Sequence, residues 1–553
     1  MMHAAISLSE SIIRPSKSNT TAGTNVEGSG RLEAGGPPST RQDGTVADVL
    51  TSLLDAGGGD APALITADDG TRLTYRALAL RVDTLAGRLA AAGVRRGDRV
   101  ALALPNGPEF VELLLAAAAI GAAAAPLNPA YTRDEFGFYL DDITPRLLLL
   151  PAGRLQNARD AARDGPAVVD VVTHPRELPD LVVDGDTVAS TAPFDAGRPD
   201  DIVLVLHTSG TTSRPKQVPL LQRNVMASVR TIRDHYALGP DDVSFCVMPL
   251  FHVHGLVASI FSALQGGGAA VVPRRFTPNQ FWPQARALGA TWVSAGPTLH
   301  HMILDRYDDN GAPPTLRFVR SCSSALSPQL MARAEGVYGV PMLEAYGMTE
   351  ASHQMASNPL PPGPRRAGSV GVATGTDIAI VDRTLQFLPA GTPGEVVVRG
   401  PSITPGYLNN PGANAEAFFD GWFRTGDIGL IDDGYLRLEG RLKEMILRGG
   451  ENIGPAEIEQ VLLAHPAVSD AVCFGVPDDK YGELVAAAVT LVGDADEAAL
   501  VEHCRGRLAG YKVPAKIHVL AEIPRTATGK VQRRRVADFV AAREGDRAAD
   551  DTA

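Results

Sequence analysis

From His207 to Leu220 the chain reads HTSGTTSRPKQVPL, a run of small hydroxyl residues with one glycine, closed by Lys216. It follows directly on the apolar stretch Ile202 to Leu206. A buried strand leading into such a loop offers backbone N–H groups, side-chain hydroxyls and one ammonium to a chain of phosphates. Far downstream, PRTATGK at Pro524 to Lys530 sets a second lysine on a glycine-containing turn. Taken alone, the first loop fits a phosphate cradle or a Ser/Thr-rich surface turn; the two together point to nucleoside triphosphate chemistry. Neither matches G-x-x-x-x-G-K-[ST], so P-loop phosphotransfer is disfavoured.

The elements that must position these loops alternate. Leu78, Val82, Leu85 and Leu89 recur at helical spacing before Gly93, as do Val46, Val49, Leu50, Leu53 and Leu54. Val100 to Leu104 reads as a strand and Glu109 to Ile120 as a helix. Strands follow at Leu147 to Leu150, Ile202 to Leu206 and Ala269 to Val272, with a helix near Arg223 to His235. Strands separated by helices predict an α/β fold with parallel sheets covered by helices. From Asp377 to Tyr407 short β-rich runs among glycines and prolines predict a small antiparallel or barrel-like subdomain. Beyond Gly440 to Ile453 a compact α+β unit is expected: a helix from Pro455 bearing Ile458, Val461 and Leu462, strands at Ala471 to Val476 and Leu484 to Leu491, a helix at Glu497 to Leu508 and a strand at Lys516 to Leu520.

Composition narrows the partners. At 553 residues more than one core is needed. A net charge of -12 argues against nucleic acid, and the cluster Arg533 to Arg535 reads as a solvated helix face. Cys246, Cys322, Cys473 and Cys504 lack C-x-x-C spacing and read as free thiols of a reducing, cytoplasmic compartment, with no zinc site. The apolar run Leu113 to Leu127, broken by Gly121 and Pro126, is too short to span a membrane and reads as a buried helix entering a strand. No secretory signal is visible. Residues Ser16 to Gly44, rich in Ser, Thr, Gly and Pro, are expected to be disordered.

Six motifs in order carry a resemblance: TSGTTSRPK (Thr208 to Lys216), PLFHVHG (Pro249 to Gly255), AYGMTE (Ala345 to Glu350), GWFRTGD (Gly421 to Asp427), GRLKEMI (Gly440 to Ile446) and PRTATGK (Pro524 to Lys530). The chain resembles the adenylate-forming superfamily of acyl-CoA synthetases and AMP-binding enzymes. That resemblance implies a tail over residues 1–44, a large AMP-binding region over 45–440 made of two sheet–helix subdomains and a β subdomain, a hinge at 441–446, a mobile C-terminal domain over 447–543 and a flexible end at 544–553. It implies two half-reactions. A carboxylate attacks the α-phosphorus of Mg-ATP, giving an acyl-adenylate and pyrophosphate; the thiol of coenzyme A then displaces AMP. Thr208, Ser209, Gly210, Thr211, Thr212 and Lys216 would hold the pyrophosphate end, Thr349 the α-phosphate and Glu350 the Mg²⁺ ion. Asp427 would accept the ribose hydroxyls with help from Arg441, and Ser323, Glu344 and Ala345 would contact the nucleotide. Lys530 would bridge the α-phosphate and the attacking carboxylate, Lys443 would be the pivot, and Gly449 and Gly450 would admit a pantetheine arm.

The acid is narrowed by histidines. His252 and His254 in FHVHG, His353 just past the magnesium glutamate, and Ser321 in RSCSSAL are the candidate acyl-pocket residues, with His252 also a candidate catalytic group. The constellation looks most similar to oxalate–CoA ligases, in which the second carboxylate of a small diacid stays charged and needs donors or cations. His300 and His301 are expected on a helix away from the pocket. Ser213 and Gln217 stand where relatives usually have glycine, and Leu447 where some aryl-CoA ligases carry a basic residue. The resemblance equally covers fatty or aryl acyl-CoA synthetases, and more remotely a non-catalytic nucleotide or acyl-CoA binding protein. Small-molecule substrates only, no membrane insertion, and a monomer or homodimer complete the expectation.

Overall fold

The computed structural model describes residues 48–174, 176–208, 215–308, 310–525, 531 and 533–550, with side chains as far as 543 and without that of Asn452. The predicted N-terminal tail, Val46, the loop Ser209 to Arg214 (including Ser213) and the segment Thr526 to Lys530 lie outside the described residues.

Two mixed sheets form the large region. In one, Met342–Met348, Phe318–Ser321, Trp292–Ala295, Val243–Cys246, Ala269–Val272 and Pro62–Thr66 run parallel, in that spatial order. His353–Ser357 and Val372–Ala373 extend one edge antiparallel. In the other, Ile202–His207, Ala123–Pro126, Arg99–Leu102, Leu147–Pro151 and Ala167–Val172 are parallel, and Gln217–Leu221 returns antiparallel to Ile202–His207. Parallel strands are reached through helices, which cover both sheets. The helix Pro108–Ile120 has proline in its first turn, ends on Gly121 in the left-handed conformation (φ 75°), and is buried from Phe110 to Ala118. Burial on every side explains why it shows no polar face; it is a core helix leading into the strand Ala123–Pro126, as the apolar run predicted. At the N-terminal end, where a helix was expected, only a short 3₁₀ turn forms, Leu50–Asp55.

The antiparallel subdomain is larger than the sequence suggested. Asp377–Val381 and Gly394–Arg399 pair as expected, but Trp422–Asp432 and Tyr435–Arg441 belong to the same sheet. The glycines and prolines between Gly400 and Gly412 hide this continuity in the sequence. After Arg441 a second antiparallel-dominated sheet, with Lys516–Val519 added in parallel, builds its own core around Ile446, Ile458, Leu462, Cys473, Val485, Leu500 and Ile517. The helices Pro455–Leu463 and Glu497–Arg505 lie as predicted. The last helix, Arg533–Asp550, continues past residue 543, where a flexible end was expected. Arg533 is not solvated: it is an ion-paired residue holding Glu459 at 2.8 Å and Glu444 at 2.5 Å, and only Arg534 and Arg535 are exposed. No helix among the described residues is long and apolar enough to cross a membrane.

Candidate active site

The stem of the candidate phosphate loop is an antiparallel pair in which His207 faces Gln217. Beyond it, Thr208 N–H donates to the Lys216 carbonyl at 3.1 Å. Both stem side chains meet Asp142: His207 Nε2 donates to Oδ2 at 2.9 Å, and Gln217 Nε2 donates to Oδ2 at 2.8 Å and to the Asp142 carbonyl at 2.7 Å. Asp142 lies in the last turn of the helix Arg133–Ile143, which carries no basic residue there, so these donors answer a carboxylate that the helix dipole disfavours. Burial pushes the His207 imidazole below its usual range, although Asp142 opposes the shift. Ser209, Gly210, Thr211 and Thr212 lie outside the described residues, as does Lys530.

Lys216 Nζ sits 4.5 Å from the centre of the Tyr407 ring. The Tyr407 hydroxyl donates to Glu350 Oε1 at 2.9 Å, so one tyrosine joins the loop lysine to the candidate metal carboxylate. Burial first, and the charge of Glu350 second, raise the Tyr407 phenol well above its ordinary range and keep it a donor. Glu350 and the half-buried Thr349 occupy a tight turn, Thr349–Ala351, between Met342–Met348 and His353–Ser357. That turn is strained: Ser352 has φ 53° and His353 φ 118°. It closes only because residue 347 is glycine; a Cβ there would stand 2.1 Å from the His353 carbonyl oxygen.

Asp427 and Arg441 are register partners on adjacent strands, and Arg441 Nε donates to Asp427 Oδ1 at 3.2 Å. The Tyr346 hydroxyl donates to the other carboxylate oxygen. Burial raises the Asp427 carboxyl above the usual range, with Arg441 opposing. Lys443 is exposed in a short turn, Leu442–Glu444, immediately after this pair. Gly449 and Gly450, with φ 60° and 90°, form the two-residue turn of a hairpin joining Ile446–Arg448 to Glu451–Ile453. Leu447 is exposed on it.

At the carboxyl ends of the parallel strands lie Ser321, Glu344 and the buried Ala345. This is the crevice where open α/β sheets bind ligands. Glu344 accepts from Leu326 N–H at 3.1 Å through one oxygen, its other oxygen is buried without a partner, and burial pushes the carboxyl up to about 7. The Ser321 hydroxyl is likewise buried and unpartnered. His254 and His353 are both buried, their rings 5.0 Å apart. His254 Nδ1 meets Ser323 Oγ at 3.0 Å and its Nε2 meets Ser294 Oγ at 2.7 Å. His252 is half-buried at the start of the short helix Val253–Gly255 and packs on Phe251. His300 faces away, buried against the Arg320 carbonyl and Tyr338, with its pKa lowered to about 4 by burial. Sequence reasoning missed Tyr346, Tyr407 and Arg320. Tyr346 stands inside the AYGMTE motif, Tyr407 lies between motifs, and Arg320 carried only the faint signal of an arginine following the apolar Phe318-Val319.

Comparison with known proteins places the chain in a family. The AMP-binding enzyme family model matches residues 55–408, and the model of the AMP-binding enzyme C-terminal domain matches 457–530. A probable CoA ligase of Humulus lupulus is 47% identical over 84% of this chain and 91% of its own length. An oxalate–CoA ligase of Arabidopsis thaliana is 45% identical over 89% of this chain and 98% of its own. ATP-bound MatB from Rhodopseudomonas palustris superposes with a TM-score of 0.81 at 29% identity, over 89% of this chain and 99% of that one. Enzymes of this kind use ATP, Mg²⁺ and CoA. The chain belongs to the adenylate-forming AMP-binding enzyme family and is an ATP-dependent acid–CoA ligase.

Proposed function

We propose that the acid is oxalate or another small dicarboxylic acid. The observation that carries this is the pair of buried imidazoles, His254 and His353, 5.0 Å apart and bordered by Ser294 and Ser323, with His353 three residues along the chain from Glu350. An apolar acyl chain gains nothing from such a surface, whereas a carboxylate left without donors in a buried site costs several kcal/mol. The relative named as an oxalate–CoA ligase, similar over nearly its whole length, supports the same reading.

In the reaction, the loop Thr208 to Thr212 with Lys216 neutralises the departing pyrophosphate, and Thr349 contacts the α-phosphate. A magnesium ion fits Glu350: a buried carboxylate with one oxygen held by Tyr407, beside a phosphate-binding lysine, suits a hard cation that takes few protein ligands and completes its shell with phosphates and water. Bound there, Mg²⁺ would neutralise charge on the phosphate oxygens. Asp427, held by Tyr346 and Arg441, accepts the ribose hydroxyls; Ser323, Glu344 and Ala345 border the adenine; His252 and Ser321 line the acid. Lys530 joins the two reactants during adenylation. Rotation about Lys443, between a region spanning 45–440 and one spanning 447–543, then replaces Lys530 by the Gly449-Gly450 turn for attack by the CoA thiol. The four buried, unpaired cysteines suit a cytoplasmic enzyme.

The test is ATP–pyrophosphate exchange with oxalate, malonate, octanoate, palmitate and 4-coumarate. Oxalate or malonate should lead by orders of magnitude; a lead for the fatty or aryl acids overturns the assignment.

A further inference from the structure

Arg320 is fully buried in the strand Phe318–Ser321, yet its guanidinium meets only uncharged groups. Nε donates to the Tyr236 hydroxyl at 2.9 Å, Nη1 to Ser294 Oγ at 2.8 Å and Nη2 to Gln354 Oε1 at 3.0 Å. Nη1 also reaches His254 Nε2 and Nη2 reaches His353 Nδ1, each at 3.4 Å. No carboxylate among the described residues pairs with it. A guanidinium removed from water without a counter-ion is unfavourable, so such a charge is retained where an anion arrives from outside.

The hydrogen bonds give the direction in which this charge is felt. A guanidinium only donates, so Ser294 Oγ accepts from Arg320 and passes its own proton to His254 Nε2. His254 therefore carries its hydrogen on Nδ1, directed at Ser323, and His353, accepting at Nδ1, carries its hydrogen on Nε2. An imidazole that accepts from a cation becomes a stronger donor at its other nitrogen. We propose that Arg320 is the positioning residue that selects a doubly charged small acid, acting through His353, whose Nε2–H it fixes and polarises for the carboxylate not being activated, and through His254, whose Nδ1–H it fixes on Ser323. This rests on the small-diacid reading above. A longer apolar tail would leave the cation unanswered, so the same device rejects fatty acids.

The experiment compares wild type, Arg320→Gln and Arg320→Lys in full-length protein by ATP–pyrophosphate exchange, with oxalate and butyrate as probes and melting temperature recorded. Arg320→Gln should lower the oxalate-to-butyrate ratio of kcat/KM by at least ~30-fold, chiefly through KM for oxalate, with KM for ATP little changed. Arg320→Lys, which keeps a charge, should recover part of the ratio. Equal losses for both acids would mean a structural pin, and an unchanged ratio would mean no role; either overturns the proposal while leaving oxalate preference in the wild type intact. A wild type that prefers butyrate overturns the diacid reading and this proposal with it. Should Arg320→Gln fail to fold, Ser294→Ala, which removes the hydroxyl between Arg320 and His254, should lower the ratio about 3-fold or more, and no change there overturns the proposal.

Discussion

Gln217 and His207 face each other across the stem of the proposed phosphate loop and close on one carboxylate, that of Asp142. The Gln217 side chain ties the loop stem to the neighbouring helix Arg133–Ile143. Replacing Gln217 by Ala should raise KM for ATP about 3- to 10-fold, the value of one or two hydrogen bonds to a charged group, and leave KM for the acid unchanged. Steady-state pyrophosphate release with each substrate varied in turn checks this; a shift confined to the acid would be inconsistent with the anchor.

Asp427 is held by Tyr346 from one side and Arg441 from the other. Tyr346→Phe keeps the ring and removes the hydroxyl, so ATP should bind several-fold more weakly with packing intact. Asp427→Asn should cost roughly 100-fold in kcat/KM for ATP. It should also erase the wild-type discrimination against 2′-deoxy-ATP. Retained discrimination would remove Asp427 from the ribose.

Burial raises Glu344 from an ordinary 4.5 to about 7 in the folded enzyme. The folded state therefore binds more protons than the unfolded chain between these values, and stability falls as pH rises through that window. The loss, of roughly 3 kcal/mol, is complete above about pH 7. Glu344→Gln, which keeps an acceptor for Leu326 N–H, should melt several degrees above wild type at pH 8 and near it at pH 4.5. An equal difference at both pH values would show that ionisation is not the cause.

Much of this was legible in the residues. The strand Ile202–His207, the core helix Pro108–Ile120 and the α+β elements after Pro455 follow from apolar period, proline at helix starts and glycine at helix ends. The extent of the antiparallel sheet was not, because the pairing of Gly394–Arg399 with Trp422–Asp432 crosses a long Gly- and Pro-rich segment and leaves no local trace. Glu350, His254 and His353 stood out by type within motifs. Arg320 did not, because its significance lies in what fails to accompany it, and a missing counter-ion is visible only once three strands and a helix have been brought together. Tyr407 was hidden for a related reason: its link between Lys216 and Glu350 is purely spatial.

Lys530, though outside the described residues, is proposed to act in one half-reaction only. Lys530→Ala should slow adenylate formation by about 100-fold or more. Supplied with preformed acyl-adenylate, the same variant should transfer the acyl group to CoA at close to the wild-type rate. Rapid-quench assays of each half separate the two; undiminished adenylation would end the assignment.

The cramped reversal at Gly347 ties together two tasks that could have evolved apart. Glu350 and His353 hang from the same few backbone atoms, and any methyl group at position 347 would collide with the carbonyl of His353. A change that enlarges the acid cavity by moving His353 therefore drags the candidate metal carboxylate with it. Attempts to broaden the range of acids accepted should succeed more readily from Ser321 and Ser323, at and just past the end of the strand Phe318–Ser321, than from this corner, where the residues proposed for selectivity and for phosphate chemistry are mechanically one part.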